Sequence, residues 1–379
     1  MDAFITLLRS AITGTNETAD LADVDYEVLY SLSKSHDLAH IVYCELEKRD
    51  QLPEGEILTK FKHQNDRAVF RHARRMMAIA QIREMLEAAK IPFVLLKGAV
   101  LMDLYPEPWM RTSSDVDVLV HPEHLQDACH VFKNAGWIRS GESENEYSFM
   151  TPYHYHVELH DSIVEALYFS DAAHLFDDVW TYTYAKDTGS SELFLCDEMF
   201  YFYQIAHMAK HFKHGGCGVR TVLDVWLLNH GAEVRSSERN ALLIKGGLHV
   251  FDDKIKALSE IWFSNAPNDS CSAAIADYIM NGGVYGTAEH AIAIKKANQE
   301  SRFRYYCKRI FVPYGSMKYM FPVLKKFPPF LPFCWVIRWF RLLNPAKFKK
   351  AVHEIKTEKR VNVEDNSCIE TLMKDLGLE

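Results

Sequence analysis

No two cysteines in this chain are spaced as a CxxC pair. The eight present, Cys44, Cys129, Cys196, Cys217, Cys271, Cys307, Cys334 and Cys368, are scattered, so neither a zinc ribbon nor a disulfide framework is signalled. That usage fits a reducing cytosol. The opening stretch MDAFITLLRSAITG lacks the basic flank and long apolar run of a secretory signal. It reads instead as an amphipathic helix with Phe4, Leu7, Leu8 and Ile12 on one face. Excess positive charge is missing as well: a formal net charge of −8 argues against a protein that coats nucleic acid generally. In the most aromatic part of the chain Pro328-Pro329 and Pro332 interrupt the apolar run. It falls short of the ~20 residues a membrane span needs, so no transmembrane helix is expected. Gly282-Gly283 and Gly286 follow no strand and make no dinucleotide loop. His207-x-x-x-His211 lacks the glutamate of HExxH and does not support a metalloprotease.

With 379 residues and 48% hydrophobic content, the chain can bury a substantial core as one large or two smaller domains. Residues 1–90 read as mostly helical. Val28, Leu29 and Leu32 follow Asp23-Val-Asp25, and Leu38, Ile41, Val42 and Leu46 recur at helical spacing. Beyond Pro53, Glu54–Lys90 reads as one long helix or two abutting ones. Its crowded Arg67, Arg71, Arg74 and Arg75 read as a wet face, or as carrying one arginine that reaches substrate phosphate.

The stretch Phe93–Val120 organises the rest. It predicts a strand (Phe93–Lys97), a turn at Gly98, a short helix bearing Leu101, Leu104 and Tyr105, a loop with Arg111, and a second strand, Asp115–Val120. Alternation turns Val116, Val118 and Val120 to a core and Asp115 and Asp117 to the other side. Their Cα atoms then lie about 6.6–6.8 Å apart, two strand rises. Unscreened by a cation, the pair would repel by up to about 4 kcal/mol if their oxygens came within ~4 Å at an effective dielectric near 20. Taken alone, Asp-x-Asp also describes a solvated edge strand.

Lys97-Gly98 at a strand end, with Arg111, Ser113 and Ser114 ahead of Asp115-Val-Asp117, resembles the DNA polymerase β-like nucleotidyltransferase superfamily. Within it, the chain is most similar to a bacterial group known as uncharacterised nucleotidyltransferases, in which Lys-Gly replaces Gly-Ser. The resemblance is specific over Ile91–Asp224. It implies an α+β fold: a small mixed β-sheet core (91–170) with an N-terminal helical region (1–90) and a C-terminal helical domain. That last part divides into a helical subdomain (171–300), a basic aromatic segment (301–350) and a tail (351–379).

The core continues with a helix over Pro122–Asn134, its inward face Leu125, Ala128, Cys129 and Phe132, capped near Gly136. Short strands at Trp137–Arg139 and Glu146–Met150 follow. In Tyr153–Ile163 a period of two puts His154, His156, Glu158 and His160 on one face. Beside Asp115–Val120, Glu158 would complete a three-carboxylate site, and the Glu158-x-His160 pair matches the family. A zinc reading ranks below magnesium, because same-face strand residues rarely close a tetrahedral shell and hard oxygens prefer Mg²⁺ or Mn²⁺.

From Asp171 the pattern turns helical. Glu198–Phe212 follows an N-cap at Asp197 and carries His207, Lys210 and His211. Past Gly215-Gly216, Arg220 and Asp224 share a face of the next helix. The resemblance implies a helical subdomain closing over the nucleotide or acceptor, with His207, Lys210, His211, Arg220 and Asp224 lining the cleft. The residues alone equally allow an Arg220–Asp224 i,i+4 ion pair and packed histidines. The segment 301–350 holds twelve Lys or Arg and no acid, interleaved with aromatics. It reads as a packed subdomain with snorkelling lysines, an RNA or polyphosphate surface, or a peripheral contact with an anionic membrane.

The resemblance further implies two Mg²⁺ (or Mn²⁺) ions held by Asp115, Asp117 and Glu158 and an NTP donor. The nucleoside monophosphate goes to the hydroxyl of an acceptor: a small molecule, sugar, peptide, protein or RNA. Nucleotide contacts fall to Lys97, Gly98, Ala99, Arg111, Ser114 and His160, with the Gly98 and Ala99 amides on phosphate oxygens. Ala99 stands where that superfamily usually has serine, which removes one hydroxyl contact. Two other readings stand beside this one: a non-catalytic nucleotide-binding scaffold, and a phosphotransferase using the same apparatus. The expected location is the cytoplasm.

Overall fold

Alternation along one strand divides the protein into layers. The computed structural model describes residues 2–17, 21–142, 146–163, 170–213, 215–231, 234–283, 311–312, 314, 317, 321, 323–342 and 363–378. His214, Gly286 and, in the basic segment, Arg302, Arg304, Lys308, Arg309, Lys318, Lys347, Lys349 and Lys350 fall outside these ranges.

The chain opens with helices α1 (Asp2–Thr13), α2 (Tyr26–Ser35), α3 (Ala39–Lys48) and the unbroken 34-residue α4 (Gly55–Ala88). Asp25 caps α2 by accepting from the Glu27 and Val28 amides. Leu29 is buried but Val28 faces solvent, so that helix is rotated from the expected stripe. Next come β1 (Phe93–Leu95), the single turn α5 (Gly98–Leu101), β2 (Asp115–Val120) and α6 (Leu125–Asn134). Then follow β3 (Ile138–Glu142), β4 (Glu146–Met150) and β5 (His156–His160).

The helical stretch after α7 (Ser170–Asp177) is interrupted by two short strands, β6 (Thr183–Tyr184) and β7 (Glu192–Leu195). Strands this short carry too little alternation to register as a period in the sequence. Pairing with β1 is what makes β7 a strand. The remaining helices described are α8 (Asp197–Lys213), α9 (Val219–Asn229), α10 (Ser236–Lys245), α11 (His249–Phe263) and α12 (Ser270–Gly282), with later ones at Val323–Lys326, Leu331–Leu342 and Val363–Asp375.

The seven strands run in the order β3-β4-β5-β2-β1-β7-β6. β2 is antiparallel to β1 and parallel to β5. On one side of the sheet Phe93, Leu95, Val116, Val118, Val120, Val157 and Leu159 pack with Ile79, Ile82 and Leu86 of α4 and Leu125, Ala128, Cys129 and Phe132 of α6. On the other, Val94, Leu96 and Leu119 join a core drawn from α1–α3 and α8–α12. The N-terminal helices therefore share their core with the helices that follow the sheet. Asp115 and Asp117 lie on the same side of β2 as Leu119, facing this helical half. That is what sets the site.

Two histidines are sealed where α2 meets α3. His36 accepts the Val219 N–H through Nδ1 at 3.2 Å, a bond that needs an unprotonated nitrogen. His40 donates from Nε2 to the Met110 carbonyl at 2.8 Å. Burial pushes both rings down to about 4. The unfolded chain takes up these protons first as pH falls below about 6.5, so stability is full above that value and is lost between 6.5 and 4. Urea unfolding at pH 5 should show about 2 kcal/mol less stability per ring than at pH 7.5. His36→Gln and His40→Gln should flatten the dependence; a native protein equally stable at both pH values would refute this origin.

Candidate active site

The parallel register of β2 and β5 sets Asp117 beside Glu158, Asp115 beside His156 and Leu119 beside His160. Donor atoms of Asp117, Glu158 and His160 all lie within 4.8 Å of one another. Asp117, only 2% exposed, accepts the Lys97 Nζ at 2.6 Å and pairs with His160 Nε2 at 3.0 Å, both on Oδ1. Glu158 Oε2 is 3.7 Å from the same imidazole nitrogen. Burial alone would raise the Asp117 carboxyl, but the Lys97 ammonium and the His160 ring hold it well below the usual range. It is a carboxylate at any working pH.

Asp115 is not part of the tight trio. One pleat along the strand, it accepts from the Ser113 hydroxyl (3.0 Å) and the Ser114 hydroxyl (3.2 Å). The closest group thus contains His160 in place of Asp115, because register gives Glu158 to Asp117. His154, expected on the same strand face, lies before β5 in a turn at φ +59°, its N–H donating to the Thr151 carbonyl. His156 is exposed at the start of β5.

The bend after β1 departs from expectation in one respect. Lys97, not Gly98, takes the strained conformation, φ +47° and ψ −121°, which costs a non-glycine residue of order 1–3 kcal/mol. Gly98 is required for closeness: a Cβ there would meet Ser113 Cβ and Oγ at 3.0 Å. Of the two amides expected on phosphate, that of Ala99 is engaged with the Leu96 carbonyl at 3.2 Å. The turn itself uses it.

Between the aspartate side of the sheet and helices α8 and α9 lies a cavity of about 300 Å³. Lys97, Gly98, Arg111, Ser114 and Asp115 line it from the sheet side, and His207, Lys210, His211, Arg220 and Asp224 from the helices. The Arg220–Asp224 pair allowed by spacing is replaced by two longer-range pairings. Asp224 is gripped by Arg111 through Nε (2.8 Å) and Nη2 (2.9 Å) and by the Tyr105 hydroxyl (2.8 Å). Arg220 Nη1 reaches Asp37 (2.8 Å) and Thr112 Oγ1 (2.9 Å). A forked, two-point grip outcompetes a single contact along one helix. Arg111, expected on phosphate, therefore braces the loop before β2 against α9, with Nη1 on the Thr112 carbonyl at 2.6 Å.

His207 and His211 line the cavity and also contact one another, their Nε2 atoms 3.0 Å apart. Burial, then the Lys97 charge, keeps His207 well below its ordinary value and so neutral.

Two further contributors belong to the arginine-rich face of α4, and two more, Asp37 and Gln204, went unseen in the sequence. Arg75 is fully buried and donates to the Arg111 carbonyl (2.6 Å) and the Pro108 carbonyl (3.0 Å). Arg71, one turn earlier, lines the cavity 3.5 Å from Asp37. The wet-face reading fails for both. Their i,i+4 spacing, running straight into buried Ala78, Ile79 and Ile82, was the available signal. Asp37 and Gln204 carried none: Asp37 enters the cavity wall beyond the end of α2, at φ +55°.

Residues 22–262 match the model of a protein family described as uncharacterised nucleotidyltransferase. That is well over half of the chain. The chain belongs to this family. No curated protein and no solved structure matches it. The nucleotidyltransferase match contains every site residue named above and stops within α11. Family membership implies nucleotidyl transfer with an NTP as substrate, chemistry that draws on a divalent cation. The donor set suits one: Asp117 and Glu158 supply hard oxygens beside His160, and Asp115 adds a further carboxylate on the same strand face.

Proposed function

We propose that this nucleotidyltransferase moves a nucleoside monophosphate from an NTP to an acceptor hydroxyl and releases pyrophosphate. The observation that carries the reading is the buried Asp117 carboxylate clustered with Glu158 and His160 beside Lys97, which lines a cavity with basic side chains on its opposite wall. Mg²⁺ or Mn²⁺, two ions in all, held by Asp115, Asp117 and Glu158, would supply Lewis-acid charge and orientation when bound.

The chain's own groups do the rest. The acceptor oxygen forms a bond to the α-phosphorus as the bond to the bridging oxygen breaks, and Glu158 receives the hydroxyl proton. Pyrophosphate leaves with that electron pair. Lys97 gains a second partner in the triphosphate, and Arg71, Lys210 and Arg220 on the cavity wall offset the charge that develops on it. Ser114 and the Gly98 backbone border the same space. The Arg111–Asp224 brace holds both walls at a fixed separation, so that little reorganisation is needed during transfer. The cysteines, scattered and with no CxxC spacing, are in keeping with a cytoplasmic setting.

The test compares α-labelled with γ-labelled NTP in cell extract supplied with Mg²⁺ or Mn²⁺. Label from the α position should pass to an acceptor fraction, and label from the γ position should leave as pyrophosphate. Transfer of the γ label to the acceptor would replace this reading with phosphorylation.

A further inference from the structure

The basic aromatic segment, which lies beyond the family-matched residues, presents an apolar surface that the catalytic reading leaves unexplained. Phe327, Phe330 and Phe333 are 58%, 51% and 66% exposed. Their rings adjoin in series, with centroids 6.3 and 5.7 Å apart. Val336 and Ile337 extend the patch along the helix Leu331–Leu342. The helix is held in place by its other side. Cys334 is buried with Met317, Phe321 and Leu324, and Trp335 donates from Nε1 to the Val312 carbonyl at 2.8 Å. A packed face thus sits beside an exposed apolar one.

Charge identifies what covers it. The twelve Lys or Arg of residues 301–350 stand without a single acid in a chain whose net charge is −8. The segment is thus a basic region on an otherwise acidic protein, which turns it toward an anionic surface. Contiguous exposed apolar area of this kind marks an interaction site. Val336 and Ile337 give no flat face on which a nucleobase could stack. Aliphatic and phenyl groups side by side, in a stretch of sequence that also carries Lys326 and Arg338, match the boundary of a lipid bilayer instead. Among the described residues no helix is long and apolar enough to cross a membrane. We infer that this patch docks the protein on the surface of an anionic phospholipid bilayer, with the phenyl rings of Phe327, Phe330 and Phe333 inserted at the headgroup level.

The test is flotation of the full-length protein with vesicles of phosphatidylcholine, alone or with about 30% phosphatidylglycerol. The anionic vesicles should carry at least roughly ten times more protein than the neutral ones, and about 0.5 M salt should reduce that binding. F330S with F333S should cut it by a further factor of roughly ten or more, while F330W with F333W retains it. Because these rings are exposed, both double variants should keep native thermal stability and NTP turnover in solution. No flotation on anionic vesicles at low salt overturns the inference. Equal flotation of the serine variant does so too, as does a single-stranded RNA that competes the protein off the vesicles.

Discussion

Glu158→Gln is expected to lower the transfer rate by at least about a hundredfold while leaving the melting temperature within about 2 °C. The side chain is partly exposed, and its neutral isostere fits the same space. What is lost is a negative charge beside the reacting phosphorus and the acceptor for the hydroxyl proton. Asp117→Asn should be more severe, at least about a thousandfold, but it should also destabilise the protein. Asp117 is buried and is the partner of the Lys97 ammonium at 2.6 Å. Removing one member of such a pair leaves the other charge uncompensated, at a cost of about 3–5 kcal/mol. The two variants together separate chemistry from folding. Single-turnover transfer of α-labelled NTP, measured beside thermal melts, reads both. A Glu158→Gln protein that keeps more than a tenth of the native rate would remove Glu158 from the mechanism.

Cutting the brace across the cavity should destabilise the fold about as much as Asp117→Asn does. Arg111→Met leaves the buried Asp224 carboxylate with the Tyr105 hydroxyl and no cation in the fork. A loss of about 3–5 kcal/mol is expected, a fall of roughly 4–6 °C in melting temperature for a chain of this size. Asp224→Asn strands the Arg111 guanidinium in the same way. Both substitutions break one interaction, so the double variant should cost at least about 1 kcal/mol less than the sum of the two singles. Strict additivity in denaturant melts would mean that the pair is not coupled.

Much of the sheet was legible because alternation is a local property. Asp115 and Asp117 against Val116, Val118 and Val120, or Val157 and Leu159 against Glu158 and His160, each follow from a period of two and need no partner. The inward face of α6 followed from a period of 3.6 in the same way. The short β6 and β7 lie below the length at which a period can be read. The spacing of Arg75 could place it toward the buried stripe of α4, but nothing in its neighbours announces the two backbone carbonyls from the loop before β2 that it meets.

The amino-acid sequence by itself determined which residues could share a strand face, which stripes would seek a core, and that a lysine–glycine bend precedes a pair of aspartates. Tertiary structure alone decided pairings. It gave Asp117 rather than Asp115 to Glu158 and His160, sent Arg111 to Asp224 and Arg220 to Asp37, and brought α4 and α9 to one cavity. The reason is physical: side-chain direction is written residue by residue, whereas the partner of a buried charge depends on strand register and helix docking, where many distant contacts are satisfied at once.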